Sequence, residues 1–563
     1  MSRTLAAFVV LACSGCFEAA DEPGGTPVPP PAPSRSANRP AGTLVVAWPM
    51  DFRSLLVVVQ ESNEDAEISA QLTFDPVRAK FEGCQLHAQP GWASDWSFSE
   101  DGRTLSMTIP EGLKWEDGKP VTVQDYALAF ELAGNPTTAS PRFATVDKMV
   151  PGKRPLIIDP THIQFEFQQA SDQGMMLFST SSLPPVPSHV LAGADNTTLR
   201  AHPQSSQPLS AGPWRLAAHE PGQKIVLEPN PAFTGPTEMK PKLDRVIFRI
   251  IPDYQARVLA LEAGEVDHVR NLQVADAERI GKKYPDIALH RRGWRAVEFV
   301  VWNQRRPMFA DKDVRTALAL ATDVDAMIGS LLTTSTGESY GKRAVGNITP
   351  ELCETVPDQV QPLPFDLPRA RELMAKAGWT DSNGDGILDK DGNKFQFTLA
   401  TSAGNQRRAS LAVMLQANLQ ELGVVVDIQP VDPNALGGNL RSREFDAVVM
   451  AWAGGLFVDP SSTWKCPTPE HPAELNYGGF CDPTVDQLIE RGLSTPNFSE
   501  AAPIWKEMQA KIYEEQPMLF LYWMDEIVAV DKRVEHVSVD IVSSLSHLHE
   551  WDVPGAPATA PTP

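Results

Sequence analysis

Apolar and polar residues alternate on both sides of Asp101-Gly102, in the run D-W-S-F-S-E-D-G-R-T-L-S-M-T-I. A period of two indicates strands with one buried face, and an Asp-Gly pair between two such runs indicates a tight turn. The pattern therefore predicts a β-hairpin in which Trp96 and Phe98 face Leu105, Met107 and Ile109.

Helical signals follow this hairpin. Thr122 and Asp125 stand at the spacing of a capping box ahead of the apolar run Y-A-L-A-F-E-L-A-G, and they predict a helix that ends at Gly134. Further along the chain, K-I-V-L-E-P-N and K-L-D-R-V-I-F-R-I-I-P-D are typical of strands. The run Y-Q-A-R-V-L-A-L-E-A-G predicts a helix that ends at Gly264.

After residue 395, strands and helices alternate. The strands are predicted at F-Q-F-T-L-A-T, V-V-V-D-I-Q-P-V and D-A-V-V-M-A-W. Between them, one face of a helix that Gly423 closes is lined by Leu411, Met414, Leu415, Leu419 and Leu422. A second helix is predicted over about residues 433 to 442. A βαβαβ order predicts a largely parallel sheet with helices packed on it, and hence an α/β fold.

Composition and charge narrow the class of protein. The chain has 563 residues, of which 42% are hydrophobic and 21% charged, as expected for a soluble protein of several domains. It carries 71 acidic and 49 basic residues, for a net charge of −22. Because binding to nucleic acid needs a basic face against the phosphates, we expect no nucleic acid partner.

The N-terminus has the pattern of an export signal. Arg3 precedes an apolar run that is too short to span a bilayer, and Ser14-Gly15 before Cys16 is similar to a bacterial lipobox. Residues 1–16 are therefore predicted to be a lipoprotein signal peptide, with Cys16 as the lipidated residue. Cys13 is the weaker candidate for the lipid, and an ordinary secretory signal is the alternative to a lipoprotein signal.

Two segments have almost nothing to bury. Residues 17–42 are rich in Pro and should form a disordered tether, and residues 553–563 should form a disordered tail. A lipid anchor followed by a tether would hold a soluble body near a membrane. We therefore expect an exported, periplasmic protein that is lipid-anchored to the bacterial cell envelope.

Four cysteines remain in the body of the chain. Cys466 and Cys481 flank a loop short enough to close, and because export makes oxidation favourable, we predict a disulfide between them. Cys84 and Cys353 are the other two, and the sequence alone does not establish that they pair. The cysteine spacings fit no zinc site.

The loop D-S-N-G-D-G-I-L-D-K-D-G places Asp381, Asn383, Asp385 and Asp389 at ligand positions of a calcium-binding EF-hand. The last position of such a loop should be a bidentate Glu, but it is Gly392 here. Asn and Asp followed by Gly are also what tight turns require. A plain turn is the favoured interpretation, and a calcium site is the alternative.

The sequence contains no recognisable catalytic motif. G-E-S-Y-G-K-R is one residue short of a phosphate loop and has Arg343 where Ser or Thr would bind magnesium. The patterns G-x-S-x-G and H-E-x-x-H are absent, and the run His547-Leu548-His549-Glu550, which could chelate a metal, lies near the tail. We therefore expect no enzyme activity, no cofactor and no metal site.

Several segments, in order, resemble the extracellular solute-binding proteins of family 5, the peptide and nickel receptors of ABC importers. The clearest is G-W-A-S-D-W-S-F-S-E-D-G-R-T-L-S-M-T-I-P-E-G-L-K-W-E-D-G-K-P-V-T-V-Q-D. Others are S-A-G-P-W-R-L, A-L-E-A-G-E-V-D and A-R-E-L-M-A-K-A-G-W. The resemblance covers roughly residues 43 to 540.

The resemblance implies a two-lobed clamshell of the periplasmic binding protein class, type II-like, with three domains and mixed β-sheets flanked by helices. Lobe one would hold residues 43–268, including an extra subdomain at about 77–180. Lobe two would hold residues 269–514, and residues 515–552 would return to lobe one. Closure would bury the solute between the lobes and present the closed form to a membrane permease.

The resemblance also implies where the solute binds. The strand D-A-V-V-M-A-W should deliver A-W-A-G-G-L-F-V-D-P to the end of the sheet where α/β folds bind ligands. Peptide-binding members have a tryptophan there, matched by Trp452, and three residues later an aspartate that pairs with the α-amine of the peptide. That position is Gly455, so we expect binding to owe little to a free α-amine. The candidate residues of this segment are Trp452, Ala453, Gly454, Gly455 and Asp459.

Further candidates come from other segments that resemble cleft-lining parts of the family. Trp48 lies in W-P-M-D-F-R-S-L-L and Asn63 in E-S-N-E-D-A-E-I, both in lobe one. Trp523 lies near the return crossing. For each of these three residues, packing in the core is the alternative to contact with the solute.

The family implies a receptor that captures a peptide or peptide-like solute and delivers it to an ABC permease and its ATPase, as a monomer and without catalysis. The alternatives within binding are a non-peptide solute, such as an oligosaccharide, a nickel chelate or an opine. A sensor or chaperone derived from such a receptor is the alternative from another class.

Overall fold

The computed structural model describes residues 40–150, 154–170, 172–468, 473 and 475–554. The predicted signal peptide, the predicted lipidation site Cys16, all but the end of the tether, and the tail from residue 555 onward lie outside these described residues.

The strands of the described residues, in chain order, are β1 (Thr43–Trp48), β2 (Val77–Glu82), β3 (Gln85–Pro90), β4 (Asp95–Phe98), β5 (Thr104–Thr108), β6 (Leu156–Asp159), β7 (His162–Glu166), β8 (Trp214–Glu220), β9 (Lys224–Pro229), β10 (Arg245–Ile250), β11 (His268–Val269), β12 (Ile287–Trp302), β13 (Gly341–Arg343), β14 (Asp389–Lys390), β15 (Asn393–Lys394), β16 (Gln396–Ser402), β17 (Val425–Val431), β18 (Ala447–Ala453) and β19 (Met518–Asp531).

The α-helices are α1 (Asn63–Leu72), α2 (Val123–Gly134), α3 (Phe143–Asp147), α4 (Gln173–Ser181), α5 (Ser188–Leu191), α6 (Pro203–Ser206), α7 (Tyr254–Glu262), α8 (Val274–Lys283), α9 (Pro307–Ala310), α10 (Lys312–Leu320), α11 (Val324–Leu331), α12 (Leu367–Lys376), α13 (Gln406–Leu422), α14 (Pro433–Ser442), α15 (Ser461–Trp464), α16 (Pro483–Leu493) and α17 (Phe498–Glu515). Across the described ranges, every helix is too short or too polar to cross a lipid bilayer.

One large mixed sheet organises the molecule. Its strands lie in the order β17-β16-β18-β12-β19-β11-β1-β10-β9-β8, and β13 pairs with β19 outside this path. The long strands β12 and β19 belong to both halves of the sheet. Residues 296–302 of β12 pair with β18 and with the first half of β19, whereas residues 287–292 pair with the second half of β19. The register shifts between Arg292 and Ala296, so the halves meet at this point.

The parallel part of the sheet confirms the pattern that the sequence predicted. β16 pairs in parallel with both β17 and β18, and α13 and α14 supply the connections. Gly423 ends α13 with a φ of 90°, a left-handed conformation that favours glycine. β18 pairs antiparallel with β12, so the sheet as a whole is mixed, as the fold class implied.

The predicted hairpin is also present. β4 and β5 pair antiparallel, with Trp96 opposite Met107 and Phe98 opposite Leu105. They belong to a separate four-stranded sheet in the order β4-β5-β7-β6. Leu105 and Met107 are buried in an apolar cluster that joins this small sheet to α2. The alternation of apolar and polar residues therefore predicted the buried face of this sheet correctly.

Helices α2 and α7 follow their sequence signals. The side chains of Thr122 and Asp125 form the predicted capping box at the start of α2, and the helix ends at Gly134 as predicted. α7 ends at Glu262, two residues before Gly264, which has a φ of 72°. The glycine therefore serves the turn after the helix rather than its last helical position.

Alternation along β12 divides the core of the large sheet into two faces. Val297 and Phe299 pack in one apolar cluster together with Trp523, and Val300 and Trp302 pack in another. Because both faces are covered, the central strands have nearly continuous apolar sequences, such as F-V-V-W in β12.

The two predicted lobes share this central pair of strands. Residues 287–292, which follow the predicted limit at residue 268, pair with the part of β19 that also pairs with β11, and β18 joins β12 only from Ala296 onward. The assignment of segments to lobes, with limits at residues 268 and 515, stays a prediction.

Candidate functional site

A cavity of about 1120 Å³ lies where the two halves of the large sheet meet. On one side its wall is built from α1, the hairpin β2–β3 and the end of α4. On the other side lie Ala453, Leu456 and Phe457, at the end of β18 and just after it. Ala296 of β12 and residues 524–527 of β19 lie between them. Open α/β sheets bind ligands in such crevices, so this cavity is the candidate binding site.

Helix α1 turns one face toward the cavity. The residues of that face are spaced by three and four positions: Asn63, Ala66, Glu67, Ala70 and Gln71. The buried residues on the other side of the helix are Asp65, Ile68, Ser69 and Leu72. The helical period therefore places small and polar side chains beside the cavity and anchors the helix through its apolar face.

Arg270 holds α1 against the segment after β11. Its guanidinium pairs with Glu64 at 3.1 Å and with Glu67 at 2.5 Å. The same group lies over the ring of Trp48, with 4.8 Å between Cζ and the ring centroid. Two ion pairs with carboxylates and a cation–π contact stabilise the charged guanidinium in one position. The protein itself therefore neutralises Arg270.

Arg407 brings another cation to the cavity wall from the first turn of α13. It donates hydrogen bonds of 3.2 and 3.0 Å to Glu298. Arg408 and the Tyr522 hydroxyl donate to the same carboxylate at 3.1 and 2.7 Å. Glu298 has no exposed surface, and burial alone would raise its pKa. The two guanidinium groups and the hydroxyl outweigh burial and hold the pKa of Glu298 below its usual value.

The sequence carries a signal for this cluster that pattern analysis did not use. Asn405 caps α13 by accepting the backbone N–H of Arg408, so Arg407 and Arg408 occupy the first turn. Cations are unfavourable there because the helix dipole is positive at the N-terminus. Two arginines in that turn indicate an anion nearby. The anion is Glu298, which lies 109 residues from Arg407 in the chain.

Asp75 lines the cavity between the end of α1 and the start of β2. Apolar side chains line the same cavity around it, among them Phe74, Val77 and Phe178. Burial raises the pKa of the Asp75 carboxyl group to about 7. Within the part of the chain that the structure describes, no hydrogen bond or ion pair reaches this carboxylate. No motif in the sequence pointed to Asp75.

Two of the predicted ligand residues line the cavity. Asn63 begins α1, and Ala453 ends β18 on the opposite wall. Trp452 lies on the other face of β18, half-buried against Phe299 with ring centroids 4.3 Å apart. Successive residues of a strand point to opposite faces, so the exposure of Ala453 to the cavity turns Trp452 away from it. Gly455 is exposed in the loop that follows.

The structure places Trp48 and Trp523 in the core instead of on the cavity wall, with exposures of 0% and 2%. Trp48 packs edge-on against Phe248 and contributes to the site only by supporting Arg270. Trp523 lies against Gly454, where an added Cβ would be 3.0 Å from the indole ring. The glycine is therefore explained by the close approach of this ring rather than by contact with a solute.

Asp459 takes part in contacts between the region of the small sheet and the loop after β18. Its carboxylate pairs with Lys148 at 2.8 Å. Nearby in the chain, Phe457 stacks on Phe178 of α4 with ring centroids 4.9 Å apart. Asp459 is thus engaged with a cation of the protein in this conformation.

The four cysteines of the body form two disulfides in the structure. Cys466 and Cys481, the pair predicted from spacing, have Cα atoms 4.5 Å apart. Cys84, in the turn between β2 and β3, is joined to Cys353 with a Cα–Cα distance of 5.1 Å. The sequence left this second pair undecided because 269 residues separate its members. Both distances are within the range that a disulfide spans.

The run His547-Leu548-His549-Glu550 lies on the cavity wall rather than beside a free tail. His547 forms a hydrogen bond with Asp540 at 3.0 Å, which raises the pKa of His547. Arg292 donates to the carbonyl oxygens of Ile541 and Val542 and holds this segment against the central strands. The described residues contain no group of three or more His, Cys, Asp or Glu side chains placed to hold a metal.

The loop at residues 381–392 is a set of hydrogen-bonded turns. Asp381 accepts the backbone N–H groups of residues 384–386, and Asp385 pairs with Lys394 at 2.7 Å. Side chains of Asp that accept the N–H groups of the following residues are typical of turns. A plain turn stays the favoured interpretation of this loop.

Known proteins resemble this chain along most of its length. The family model described as bacterial extracellular solute-binding proteins, family 5 middle, matches residues 87–470. Oligopeptide-binding protein AppA of Bacillus subtilis is 28% identical over 462 residues, which are 80% of this chain and 81% of that protein.

Solved structures share the fold. The structure of AppA from Bacillus subtilis with a nonapeptide superposes with a TM-score of 0.77 at 24% identity, covering 91% of this chain and 99% of that one. The structure of NikZ from Campylobacter jejuni with Ni(L-His) gives a TM-score of 0.77 at 20% identity, covering 91% and 100%. The family model matches well over half of the residues, and the chain therefore belongs to the bacterial extracellular solute-binding proteins of family 5.

Proposed function

We propose that this protein is the solute receptor of an ABC importer and that it binds a peptide or peptide-like solute without chemical conversion. The observation that carries the proposal is the size of the cavity, about 1120 Å³, slightly above the usual range for small-ligand sites. An extended chain of several residues needs such room, whereas a nickel chelate or an opine needs much less. The oligopeptide-binding relative supports the same choice.

The solute would contact both halves of the large sheet. Asn63 offers a side-chain amide from α1, and the exposed end of β18 at Ala453 offers its backbone on the opposite wall. Arg407 offers a cation that Glu298 already orients, and it suits a carboxylate of the solute. Polar side chains at fixed positions along the wall would orient the solute.

Release of the solute would require the two halves to separate about β12 and β19. The register shift between Arg292 and Ala296 marks the point where these strands can bend. Separation would break the Phe178–Phe457 stack and the Lys148–Asp459 pair. The form in which these contacts are made would be the one presented to the permease and its ATPase, by a single receptor chain.

Native mass spectrometry tests the choice of solute. Protein purified without unfolding should carry an added mass that sequencing by fragmentation resolves into peptides. Calorimetry with a synthetic copy of the most abundant peptide should then give saturable binding. An added mass that corresponds to a nickel chelate, an oligosaccharide or an opine would replace the peptide proposal with that alternative.

We further propose that the protein is exported and anchored by a lipid on Cys16. Cys16→Ala should leave the protein in the soluble fraction of the periplasm, because the lipid is the only anchor that the proposal includes. Cys13→Ala is the matched control and should remain membrane-bound. Fractionation that finds Cys16→Ala in the membrane and Cys13→Ala soluble would move the lipid to Cys13.

A further inference from the structure

The carboxylates of the cavity wall are paired with cationic or imidazole groups, with one exception. The pairs are Glu67 with Arg270 at 2.5 Å, Glu526 with Arg292 at 2.5 Å, Asp525 with Arg291 at 2.7 Å, Asp540 with His547 at 3.0 Å and Glu550 with His547 at 3.6 Å. Asp75 is the exception among the described residues that line the cavity.

The groups nearest to Asp75 in the chain are already occupied. Arg78 donates from Nε to the carbonyl oxygen of Pro90 at 3.1 Å, and Lys80 pairs with Glu82. The charge of Asp75 acts on the nearby hydroxyl of Tyr126 and contributes to its raised pKa. That hydroxyl donates its hydrogen bond to the carbonyl oxygen of Thr180 at 2.9 Å and not to Asp75. The Asp75 carboxylate is therefore not neutralised by its own protein.

An unpaired carboxylate that is partly buried beside apolar side chains is unfavourable, and a cation that enters with the solute relieves that cost. The second candidate acid, Asp459, is excluded because Lys148 pairs with it. We propose that Asp75 is the counter-ion for a primary ammonium group of the solute. This inference rests on the proposed function and deepens it, since it states a charge that the solute must carry.

The placement of Asp75 also bears on the glycine at position 455. Gly455 follows β18 on one side of the cavity, whereas Asp75 lies on the other side, beside α1 and the hairpin β2–β3. An ammonium held by Asp75 would therefore lie against the wall that α1 forms. The ammonium could be the N-terminus of a peptide or a lysine side chain, and one experiment can separate these sources.

Calorimetry at about pH 8, where the carboxyl group of Asp75 is largely ionised, can use three probes. They are pentaalanine, N-acetyl-pentaalanine, and N-acetyl-Ala-Ala-Lys-Ala-Ala. We expect one or both of the probes that carry an ammonium to bind about 10- to 100-fold more tightly than N-acetyl-pentaalanine, the usual effect of a hydrogen bond to a charged group. Preference for pentaalanine assigns the N-terminus, and preference for the lysine probe assigns the side chain.

Asp75→Asn keeps the size of the side chain and should abolish this preference while leaving the affinity for N-acetyl-pentaalanine unchanged. Glu111→Gln, at an exposed carboxylate outside the cavity, is the matched control and should keep the preference. Equal binding of all three probes, or a preference that survives in Asp75→Asn, overturns the inference about Asp75 but not the peptide proposal.

A fourth probe distinguishes a failure of the inference about Asp75 from a failure of the peptide proposal. If none of the peptides binds, spermidine is titrated into the wild type and into Asp75→Asn. Binding of spermidine that Asp75→Asn loses supports the ammonium site and overturns the peptide proposal. Absence of spermidine binding in the wild type, or equal binding by both proteins, overturns the ammonium site as well. Unchanged circular dichroism of Asp75→Asn guards against misfolding in each case.

Discussion

Replacing Cys84 and Cys353 together with serine should lower the free energy of unfolding by up to about 5 kcal/mol and should speed the release of bound solute. The first effect follows from chain entropy, because this disulfide closes a loop in which its members are 269 residues apart. Denaturant unfolding of the oxidised wild type and of the double variant, in the absence of solute, measures it.

The second effect follows from where the disulfide lies. Cys84 is in the turn of the hairpin β2–β3, which forms one side of the cavity, and Cys353 belongs to a short 3-10 helix that contacts α17. A disulfide keeps its Cα atoms within about 7 Å, so this edge of the cavity cannot open while the bond is intact. Without the bond, release should be at least about tenfold faster, since changes of this kind act mainly on dissociation rates.

The other disulfide provides a matched control. Cys466→Ser with Cys481→Ser removes a link between residues only 15 apart and should cost about 3 kcal/mol on the same estimate. Both of its cysteines lie in the short segment between α15 and α16, so the release rate should not change. Equal release rates for the wild type and both double variants, measured by competition with excess unlabelled solute, would show that the Cys84–Cys353 bond does not limit opening.

Glu298→Ala should lower the free energy of unfolding by about 3 to 5 kcal/mol, the usual cost of removing one partner from a buried ion cluster. The change would leave Arg407, Arg408 and the Tyr522 hydroxyl without their common acceptor in the protein interior. It should also weaken binding of a carboxylate-bearing solute, because Arg407 would lose its fixed orientation. Glu372→Ala is the control, since its pair with Arg369 is 65% and 57% exposed and should matter by less than about 0.5 kcal/mol.

The pH dependence of this effect has a definite sign. The pKa of Glu298 is lowered in the folded protein, so its ionised form stabilises the fold at pH values above the pKa of an unfolded glutamate, about 4.3. That stabilisation is lost as the pH falls through the lower folded pKa. The stability difference between the wild type and Glu298→Gln should therefore be large near neutral pH and shrink in acid. A difference that is the same at about pH 7 and about pH 3 would contradict an ionised Glu298.

Much of the fold follows from the sequence because the signals involved are local. The hairpin β4–β5, the capping box of Thr122 and Asp125, and the βαβαβ order from β16 to β18 all depend on residues a few positions apart. The family was also evident from ordered segments of the sequence. Local hydrogen bonding and hydrophobic periodicity leave a pattern in the sequence, and that pattern predicts these features.

The candidate site was predicted only in part. The sequence pointed to the segment after β18, and Ala453 and Asn63 do line the cavity. It could not decide which face of the strand Trp452 occupies, because one position along a strand reverses the direction of the side chain. A tryptophan can line a cavity or pack in the core, and the sequence does not distinguish the two. In the structure, packing places both Trp48 and Trp523 in the core.

Only the tertiary structure decided which charges remain unpaired. Glu298 reaches Arg407 across 109 residues, Arg270 reaches Glu64 across 206, and Cys84 reaches Cys353 across 269. No local pattern contains such pairs, because strand order and register bring the partners together. The sequence by itself determined the elements, the fold class and the kind of protein. Among the described residues that line the cavity, the tertiary structure determined that Asp75 is the carboxylate without a cationic partner, because the partners of such side chains come from distant parts of the chain.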